Sequence, residues 1–468
     1  MKETIFREYD IRGRVGDELR LDQVYDLVCA IASYYISKKS DIKKIAVGMD
    51  GRLHSHVIKE AACNALLDSG LDVLFVGTCP SPVVNFALHT LPVDGGLMIT
   101  ASHNPKEYNG FKMSLGKDPV WGKDIRVIRD LYLEKKKVHT QVRGSMSEYA
   151  LIPSYIEWLA DHFAHLQRMD LSILVDCGNG AAGTVMPELV SRMHWRNVQL
   201  LYPEVDGTYP HHEADPTVEA NMRDMQKMLR EGSYDFGLGL DGDCDRMAPM
   251  TKSGELILGD KLLALFANPI VKAHPAATVV FDIKSSAGLI ELLSSWGATP
   301  CISATGHTNI KEQMKQQDAL LGGELSCHFF FKDRYFGYDD GIYAMMRLIE
   351  LMCDSGKTLD ALVAIFPHKY SSCEYRIACP DDIKRIIVDR VTDILAARDD
   401  VQLITLDGVR AMWSDGWGIL RASNTQPALS MRFEAESPAA LNRIKNEFVD
   451  FLADDMDYQM LRAQLEIL

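Results

Sequence analysis

Three aspartates alternate in the segment GLGLDGDCDRMAP, directly after an apolar run. The carboxylates of Asp241, Asp243 and Asp245 repel one another at this spacing, and a hard divalent ion bound by oxygen ligands removes that cost. An EF-hand loop starting at Asp241 would need Gly and Glu where the chain has Arg246 and Lys252. The apolar flanks disfavour a solvated acidic turn, so the segment predicts a metal-binding loop.

A serine follows an apolar strand in the segment GGLMITASHNPKEYNGFKM. Ser102 enters a turn with His103, Asn104 and Pro105, at a strand end where the sites of α/β proteins usually lie. Lys112 follows in the same segment and could reach back to a phosphate. Taken alone, such a serine is more often a turn or capping residue than a nucleophile. The segment has no GxSxG elbow, so it does not indicate a hydrolase triad.

A third segment, GGELSCHFFF, holds polar groups suited to sugar hydroxyls. Glu324, Ser326 and His328 alternate, which predicts that they share one side of an extended stretch. A polar strand edge would explain the same pattern, and from this segment alone that explanation is preferred.

A fourth segment, RASNTQPALSMRFEA, combines a guanidinium with neutral donors at Arg421, Ser423, Asn424 and Thr425. These groups have the chemistry of a phosphate site. An Asn/Ser-rich turn between strands accounts for the segment equally well.

Two other matches point to nucleotide binding. The segment GNGAAG places Gly178, Gly180 and Gly183 after a strand, and Glu204 follows where a ribose-binding acid would stand. This pattern supports an NAD-dependent oxidoreductase as an alternative, but it leaves the aspartate loop unexplained. The GKT in SGKTLD is not a Walker A motif, because Leu351 stands where the first glycine is required.

Composition narrows the class of protein. The chain has 468 residues with a net charge of −15, which argues against a general nucleic-acid binder. Its ten cysteines form no CxxC pair, and the charged start MKETIFREYD does not resemble a signal peptide. Because no long apolar run occurs, we expect a cytoplasmic protein with reduced thiols and no membrane partner.

The elements that must position these groups recur along the chain. Apolar runs end in Asp50, Asp176 and Asp282, each followed by a polar turn and a helix-like stretch. Each run predicts a buried parallel strand, and together they predict three similar α/β units. The tail reads as short strands with a helix before and after them, which predicts an α+β domain from residue 366.

The segments YDIRG, TASHNP, DGDCDR, GGELSCH and RASNTQP occur in the order seen in the α-D-phosphohexomutase family. Over most of the chain they resemble its bacterial phosphomannomutase/phosphoglucomutase branch. The resemblance implies three related mixed α/β domains and a smaller α+β C-terminal domain, heart-shaped around a central cleft. The expected domains are 1–150 with the phosphoserine loop, 151–252 with the metal loop, 253–365 with the sugar loop and 366–468 with the phosphate loop.

The resemblance also assigns roles to residues. It implies that Ser102 carries the phosphoryl group and that Ser102, Asp241, Asp243 and Asp245 hold Mg²⁺. Further catalytic positions by resemblance are Arg12, His103, Lys112, Arg246 and His328. Substrate-binding positions by resemblance are Tyr9, Lys284, His307, Glu324, Ser326, Arg421, Ser423, Asn424 and Thr425. Arg12, Lys112 or His328 would assist proton transfer, and the sequence does not choose between them.

The activity implied is interconversion of hexose 6-phosphate and hexose 1-phosphate, of mannose and of glucose, through a 1,6-bisphosphate that also serves as activator. The partner implied is a phosphosugar, and the chain is expected to be a monomer or weak dimer. A non-catalytic phosphosugar sensor is the second alternative, but such a sensor could lose the serine and the three carboxylates freely.

Two cysteines depart from the family pattern. Cys244 and Cys327 stand where glycine is usual, in the metal loop and the sugar loop. A cysteine is tolerated there if the backbone does not need a positive φ. We also consider the hypothesis that either thiol makes the enzyme sensitive to oxidants.

Overall fold

The computed structural model describes residues 1–138, 140–423 and 426–467. Its contacts divide the chain into two units, one of Met1–Ile270 with Leu320–Ala364 and one of Val271–Ala319 with Ile365–Leu468. Within the described residues, no helix is both long and apolar enough to cross a membrane.

The strands, in chain order, are β1 (Ile11–Arg14), β2 (Lys44–Met49), β3 (Asp72–Thr78), β4 (Gly95–Ile99), β5 (Tyr108–Leu115), β6 (Asp118–Pro119), β7 (Met146–Glu148), β8 (Ile173–Asp176), β9 (Val198–Leu201), β10 (Phe236–Leu240), β11 (Met247–Thr251), β12 (Thr278–Asp282), β13 (Thr299–Ser303), β14 (Leu321–Gly323), β15 (Phe329–Phe331), β16 (Tyr370–Ser371), β17 (Tyr375–Ala378), β18 (Gln402–Ile404), β19 (Val409–Trp413), β20 (Gly416–Ala422) and β21 (Ala428–Ala435).

The α-helices, in chain order, are α1 (Val24–Lys38), α2 (Ser55–Asp68), α3 (Ser81–Thr90), α4 (Lys123–Leu133), α5 (Ile152–His162), α6 (Met186–Arg192), α7 (Arg223–Glu231), α8 (Gly259–Ala273), α9 (Ala287–Ser295), α10 (His307–Gln316), α11 (Gly341–Ser355), α12 (Leu359–Val363), α13 (Lys384–Ala396), α14 (Pro438–Leu452) and α15 (Tyr458–Gln464).

The first sheet of unit one has the order β1-β5-β4-β2-β3-β7, with β6 paired to β5. Its apolar strands β2 and β4 are parallel neighbours, and every residue of β4 is buried. One core cluster joins this sheet to α1, α2 and α4. Because parallel strands end at the same sheet edge, the turns that carry Asp50 and Ser102 lie side by side.

The second sheet of unit one has the order β11-β10-β8-β9. Strand β10 is buried along its length and is parallel to β8, which ends in Asp176. Strands β10 and β11 are antiparallel with Leu240 opposite Met247, so the three predicted metal ligands stand in the connection of a hairpin.

The third polar segment of the sequence differs from its prediction. Strands β14 and β15 form an antiparallel hairpin with Gly323 opposite Phe329, so residues 324–328 are its turn and not an extended stretch. The turn is closed by hydrogen bonds from Glu324 N to His328 O and from Cys327 N to Glu324 O, both of 3.0 Å. The prediction of a shared face was therefore wrong, because alternation has that meaning only in a strand.

Unit two contains the parallel pair β12–β13 and a sheet of order β16-β21-β20-β19-β18, with β17 paired to β21. The strands of this second sheet pair antiparallel, and a core cluster joins them to α13 and α14. The α+β tail expected from the sequence is confirmed. The strands that end at Asp50, Asp176 and Asp282 each have a parallel neighbour, as predicted.

Candidate active site

Ser102 lies in a tight turn directly after β4. Its φ of 51° is left-handed, a conformation that costs a non-glycine residue roughly 1–2 kcal/mol. The side chain is buried, and its Oγ lies 3.0 Å from Asp241 Oδ2 and 3.1 Å from His103 Nδ1. The strained turn therefore holds the serine hydroxyl against the acidic loop, as the sequence hypothesis requires.

The acidic loop brings its three carboxylates together. One oxygen from each of Asp241, Asp243 and Asp245 lies within 4.8 Å of the others, and all three side chains are buried. Burial raises the pKa of Asp241 well above its usual value, and the neighbouring carboxylates raise it further. Asp243 Oδ1 and Asp245 Oδ1 have no hydrogen-bond donor among the described residues. Buried, unsatisfied carboxylate oxygens in such a group fit a divalent cation.

The other oxygens of the loop are held by the protein. Lys112 Nζ lies 2.6 Å from Asp243 Oδ2 and also contacts Asp245, while Ser81 Oγ donates to Asp243 Oδ2 at 2.5 Å. Burial by itself would lower the pKa of Lys112, but Asp243 and Asp245 raise it above its ordinary value. Lys112 is therefore a permanent cation beside the loop.

A histidine and an arginine border the same loop. Arg246 Nε donates to His328 Nε2 at 2.9 Å, so His328 carries its proton on Nδ1. That nitrogen lies 3.3 Å from Asp339 Oδ2 and 3.6 Å from Asp245 Oδ1. Both residues thus add donors on one side of the carboxylates.

Arg12 reaches the serine turn from β1. Its Nη1 donates to Ala101 O at 3.1 Å and to Asn104 Oδ1 at 2.6 Å. The buried Asp10 accepts from Arg12 Nε at 3.1 Å, which fixes the guanidinium in this place. Arg12 is therefore a cation positioned at the turn that carries Ser102.

The remaining predicted residues of unit one are Glu324, Ser326 and Tyr9. Glu324 is buried in the β14–β15 turn. Burial of the Arg246 guanidinium lowers its pKa, but Asp215, Asp241, Asp245 and, least of these, Glu324 raise it above its ordinary value. Ser326 and Tyr9 are half-buried.

The two departures from the family pattern both need a left-handed backbone. Cys244 has a φ of 62° and Cys327 a φ of 67°, so each carries strain that a glycine would avoid. Both thiols are fully buried, and burial raises the pKa of each. Because the thiolate is the form that oxidants attack, these observations argue against the oxidant-sensitivity hypothesis.

Unit two holds the predicted cations of the substrate site. Lys284 follows β12, and its Nζ lies 3.1 Å from Glu374 Oε2. Arg421 in β20 is paired with Asp407 at 2.8 Å. The same Asp407 oxygen accepts from Thr305 N at 3.1 Å, close in the chain to His307 at the start of α10. The structure thus joins the His307 loop to Arg421 through one carboxylate.

Lys384, which sequence reasoning missed, contacts two residues of the predicted phosphate segment, Ser423 and Gln426. Its Nζ donates to Ser423 O at 2.5 Å, Gln426 O at 3.1 Å and Asp381 Oδ1 at 2.6 Å. Ser423 itself is buried. The other two predicted residues of this loop, Asn424 and Thr425, lie outside the described residues.

Ser81, Asp10 and Asp339 were also missed by sequence reasoning. The sequence did contain one signal, the acid Asp10 two positions before Arg12 in YDIRG, because a carboxylate so close to a partly buried guanidinium is expected to pair with it. Ser81 gave no local signal, because its contact with Asp243 spans 162 positions of the chain. Asp339 lies only 11 positions from its partner His328, but the two segments meet through the fold and not through a recognisable motif.

The GNGAAG segment has a structural role. It follows β8, and Ala181 N donates to Gly242 O at 2.9 Å. A Cβ on Gly180 would lie 2.9 Å from Gly242 O, so glycine allows the acidic loop to pack closely. A Cβ on Gly183 would lie 1.9 Å from Pro203 O. These glycines are explained by contacts inside the protein and not by a dinucleotide.

The chain matches known protein families along most of its length. Four family models match, described as phosphoglucomutase/phosphomannomutase α/β/α domains I, II and III and the C-terminal domain. They cover residues 3–138, 153–254, 258–370 and 374–451, respectively.

Relatives of known name agree with these matches. A phosphomannomutase/phosphoglucomutase of Pseudomonas aeruginosa is 39% identical over 450 residues, covering 95% of this chain and 94% of the relative. A phosphoglucomutase of Neisseria gonorrhoeae is 38% identical over 448 residues, covering 95% of each chain. A crystal structure of a phosphoglucomutase/phosphomannomutase family protein from Burkholderia thailandensis matches with a TM-score of 0.88 and 32% identity, over 97% of this chain and 98% of that one.

Proposed function

The chain belongs to the phosphoglucomutase/phosphomannomutase family, and we propose on this basis that it interconverts the 6- and 1-phosphates of mannose and glucose. The observation that carries the proposal is the 3.0 Å contact between Ser102 Oγ and Asp241 Oδ2. The comparisons support a hexose phosphate mutase and not the NAD-dependent oxidoreductase or the non-catalytic sensor. The enzymes of the phosphoglucomutase/phosphomannomutase family are isomerases.

We propose Mg²⁺ as the metal, held by Asp241, Asp243 and Asp245 with an oxygen at Ser102. Support comes from the unsatisfied Oδ1 atoms of Asp243 and Asp245, since all-oxygen donor sets suit hard cations. When bound, Mg²⁺ would neutralise charge on the phosphoryl group and on the serine oxygen that leaves.

The reaction we propose starts from phosphorylated Ser102. A sugar hydroxyl attacks phosphorus in line, a new P–O bond to the sugar forms, and the bond to Ser102 Oγ breaks. The chain's part is positioning and charge, because phosphoryl transfer needs little covalent help. Arg12, Lys112 and Arg246 supply fixed positive charge around the transferred group, and His103 lies beside Ser102 Oγ.

The proton of the attacking hydroxyl needs an acceptor, which we propose among Arg12, Lys112 and His328. The carboxylates that raise the pKa of Lys112 make its ammonium a weak base. His328 Nε2 accepts from Arg246, so that contact must open before the nitrogen can take a proton. The contacts therefore place a condition on each of these two candidates and leave the choice open.

Substrate-binding roles are proposed for residues of the predicted sugar and phosphate segments. Glu324 and Ser326 would contact sugar hydroxyls, with Tyr9 beside them. Lys284, His307 and the 421–425 loop would bind the phosphate that does not react, as guanidinium and hydroxyl donors do. The bisphosphate intermediate then reorients in the site and returns its other phosphoryl group to Ser102. Added hexose 1,6-bisphosphate therefore acts as activator.

We also propose a cytoplasmic monomer or weak dimer with no nucleic-acid or membrane partner. Ten free cysteines are typical of a reducing compartment, and the net charge of −15 disfavours nucleic acid. The domain boundaries near 150, 252 and 365 remain part of the same proposal.

The proposal is tested by a coupled assay with mannose 1-phosphate and glucose 1-phosphate, primed with hexose 1,6-bisphosphate. We expect turnover of both by the wild type, and one phosphoryl group on Ser102 by mass spectrometry of the intact chain and its peptides. Ser102→Ala should lose nearly all turnover while the exposed control Ser295→Ala keeps it. An active Ser102→Ala variant, or no turnover by the wild type, contradicts the proposal.

A further inference from the structure

Arg52 lies three residues after the end of β2, and its side chain is completely buried. All of its side-chain N–H groups donate hydrogen bonds, three of them to backbone carbonyls of the turn between β4 and β5 and one to that of Tyr108, the first residue of β5. The acceptors are Ser102 O at 2.7 Å, Asn104 O at 2.6 Å, Pro105 O at 2.8 Å, Tyr108 O at 3.0 Å and Asp50 Oδ2 at 3.1 Å.

A buried guanidinium is costly unless it is paired and fully hydrogen-bonded. Asp50 supplies the negative charge that pairs with the guanidinium, but most of the hydrogen-bond acceptors are backbone carbonyls of one chain segment, residues 102–108. The four backbone carbonyls lie within reach of one guanidinium only when residues 102–108 keep this conformation. The burial of Arg52 is therefore coupled to a single conformation of the loop that carries Ser102.

The backbone of Ser102 is held on both sides. Its carbonyl accepts from Arg52, and its N–H donates to Thr100 Oγ1 at 2.8 Å. The same carbonyl would lie 2.5 Å from a Cβ on Gly242, so it is wedged between Arg52 and the acidic loop. These contacts oppose relaxation of the strained φ of 51°.

We propose that Arg52 and Thr100 are positioning residues for phosphoryl transfer, a clamp that orients the Ser102 backbone so that Oγ faces Asp241. The inference rests on the proposed mutase function. Neither residue contacts the acidic triad in the described structure, so the clamp acts through Ser102. A positional error on the scale of 1 Å at the reacting oxygen is enough to slow a transfer reaction about 100-fold.

Arg52→Lys tests the clamp, because a lysine has three donors on one nitrogen and cannot reach four spread carbonyls. We expect kcat to fall about 100-fold while KM for glucose 1-phosphate stays within about twofold, since the proposed phosphate-binding residues are unchanged. Thr100→Val removes the other hold at nearly constant volume, and we expect kcat to fall about tenfold with the same unchanged KM.

Arg347→Lys is the matched control. Arg347 is also buried in unit one, where it pairs with Asp333 at 2.9 Å and lies over the ring of Phe331, away from the Ser102 turn. We expect this variant to lower Tm while kcat stays within about twofold, because its contacts bear on stability alone.

Each outcome decides one point. The proposed function fails if the wild type shows no turnover in the same assay. The clamp fails, with the function intact, if folded Arg52→Lys and Thr100→Val both keep kcat within about twofold. It also fails if KM rises as much as kcat falls, or if the control loses as much kcat as Arg52→Lys. Should Arg52→Lys not fold, Thr100→Val decides alone.

Discussion

Lys112 Nζ lies 2.6 Å from Asp243 Oδ2, while Oδ1 of the same carboxylate has no donor among the described residues. One oxygen of the Asp243 carboxylate therefore contacts a cation of the protein, while the other has the surroundings of a metal ligand. Lys112 also contacts Asp245, so one ammonium neutralises part of the charge of the triad. Removal of Lys112 should therefore have opposite effects on the affinity for Mg²⁺ and on kcat.

Lys112→Met should bind Mg²⁺ more tightly and turn over more slowly. Removal of one positive charge about 4 Å from a divalent ion is worth about 2 kcal/mol in a water-like dielectric, or about 30-fold in affinity. Isothermal titration with Mg²⁺ measures the first effect and the coupled assay the second. Lys117→Met, on an exposed turn, is the control. Weaker Mg²⁺ binding by Lys112→Met would contradict this account of the loop.

Asp243→Asn should weaken Mg²⁺ binding and lower kcat together. The amide keeps an acceptor for Ser81 but removes a charge from the triad, and we expect a loss of at least about tenfold in each quantity. Titration of activity with Mg²⁺ measures both, and the exposed Asp399→Asn is the control. An unchanged Mg²⁺ midpoint would count against the metal loop.

Lys384→Met should raise KM for the sugar phosphate more than it lowers kcat. The substitution leaves the carbonyls of Ser423 and Gln426 without their buried donor, so these two residues are no longer held in place for binding the phosphate that does not react. We expect about a tenfold rise in KM from steady-state kinetics, with Lys357→Met as an exposed control. A change confined to kcat would show that the loop has a different role.

Asp340→Asn should change how stability depends on pH. Burial raises the pKa of Asp340 to about 6, although hydrogen bonds from Tyr343 N and from the hydroxyls of Tyr335 and Tyr155 oppose the rise. The folded carboxyl therefore keeps a proton that the unfolded chain releases near pH 4, and this group's contribution to stability falls as pH rises from 4 to 6.

The variant lacks this titration, so its stability relative to wild type should increase by about 1 kcal/mol between pH 5 and pH 7.5. Thermal melts of both proteins at the two pH values measure the difference. A constant or decreasing difference would mean that Asp340 is ionised at both.

Alkylation should spare the two cysteines of the active-site loops. Cys353 and Cys373 are exposed, whereas Cys244 and Cys327 are buried with a raised pKa. We expect iodoacetamide to label the exposed pair first, by peptide mapping, with turnover retained. Early labelling of Cys244 together with loss of turnover would restore the oxidant-sensitivity hypothesis.

Local chemistry and the order of the secondary-structure elements could be predicted from the amino-acid sequence alone. Apolar runs ending in Asp50, Asp176 and Asp282 predicted buried parallel strands, because such a pattern depends only on period and flanking turns. The spacing of Asp241, Asp243 and Asp245 predicted a crowded carboxylate loop for the same reason. Both predictions are local, and both are confirmed.

Which side chains come into contact depends on how distant segments pack in the fold. Ser102 and Asp241 are separated by 139 positions in the sequence. They touch because the turn after β4 and the loop between β10 and β11 meet in the fold. The sequence analysis did not single out Arg52, whose hydrogen-bond acceptors at Ser102 and Asn104 lie 50 and 52 positions further along the chain. The turn at 324–328 and the positive φ of Cys244 and Cys327 were decided in the same way. Packing across distant segments selects these conformations, and no short window of sequence contains both partners.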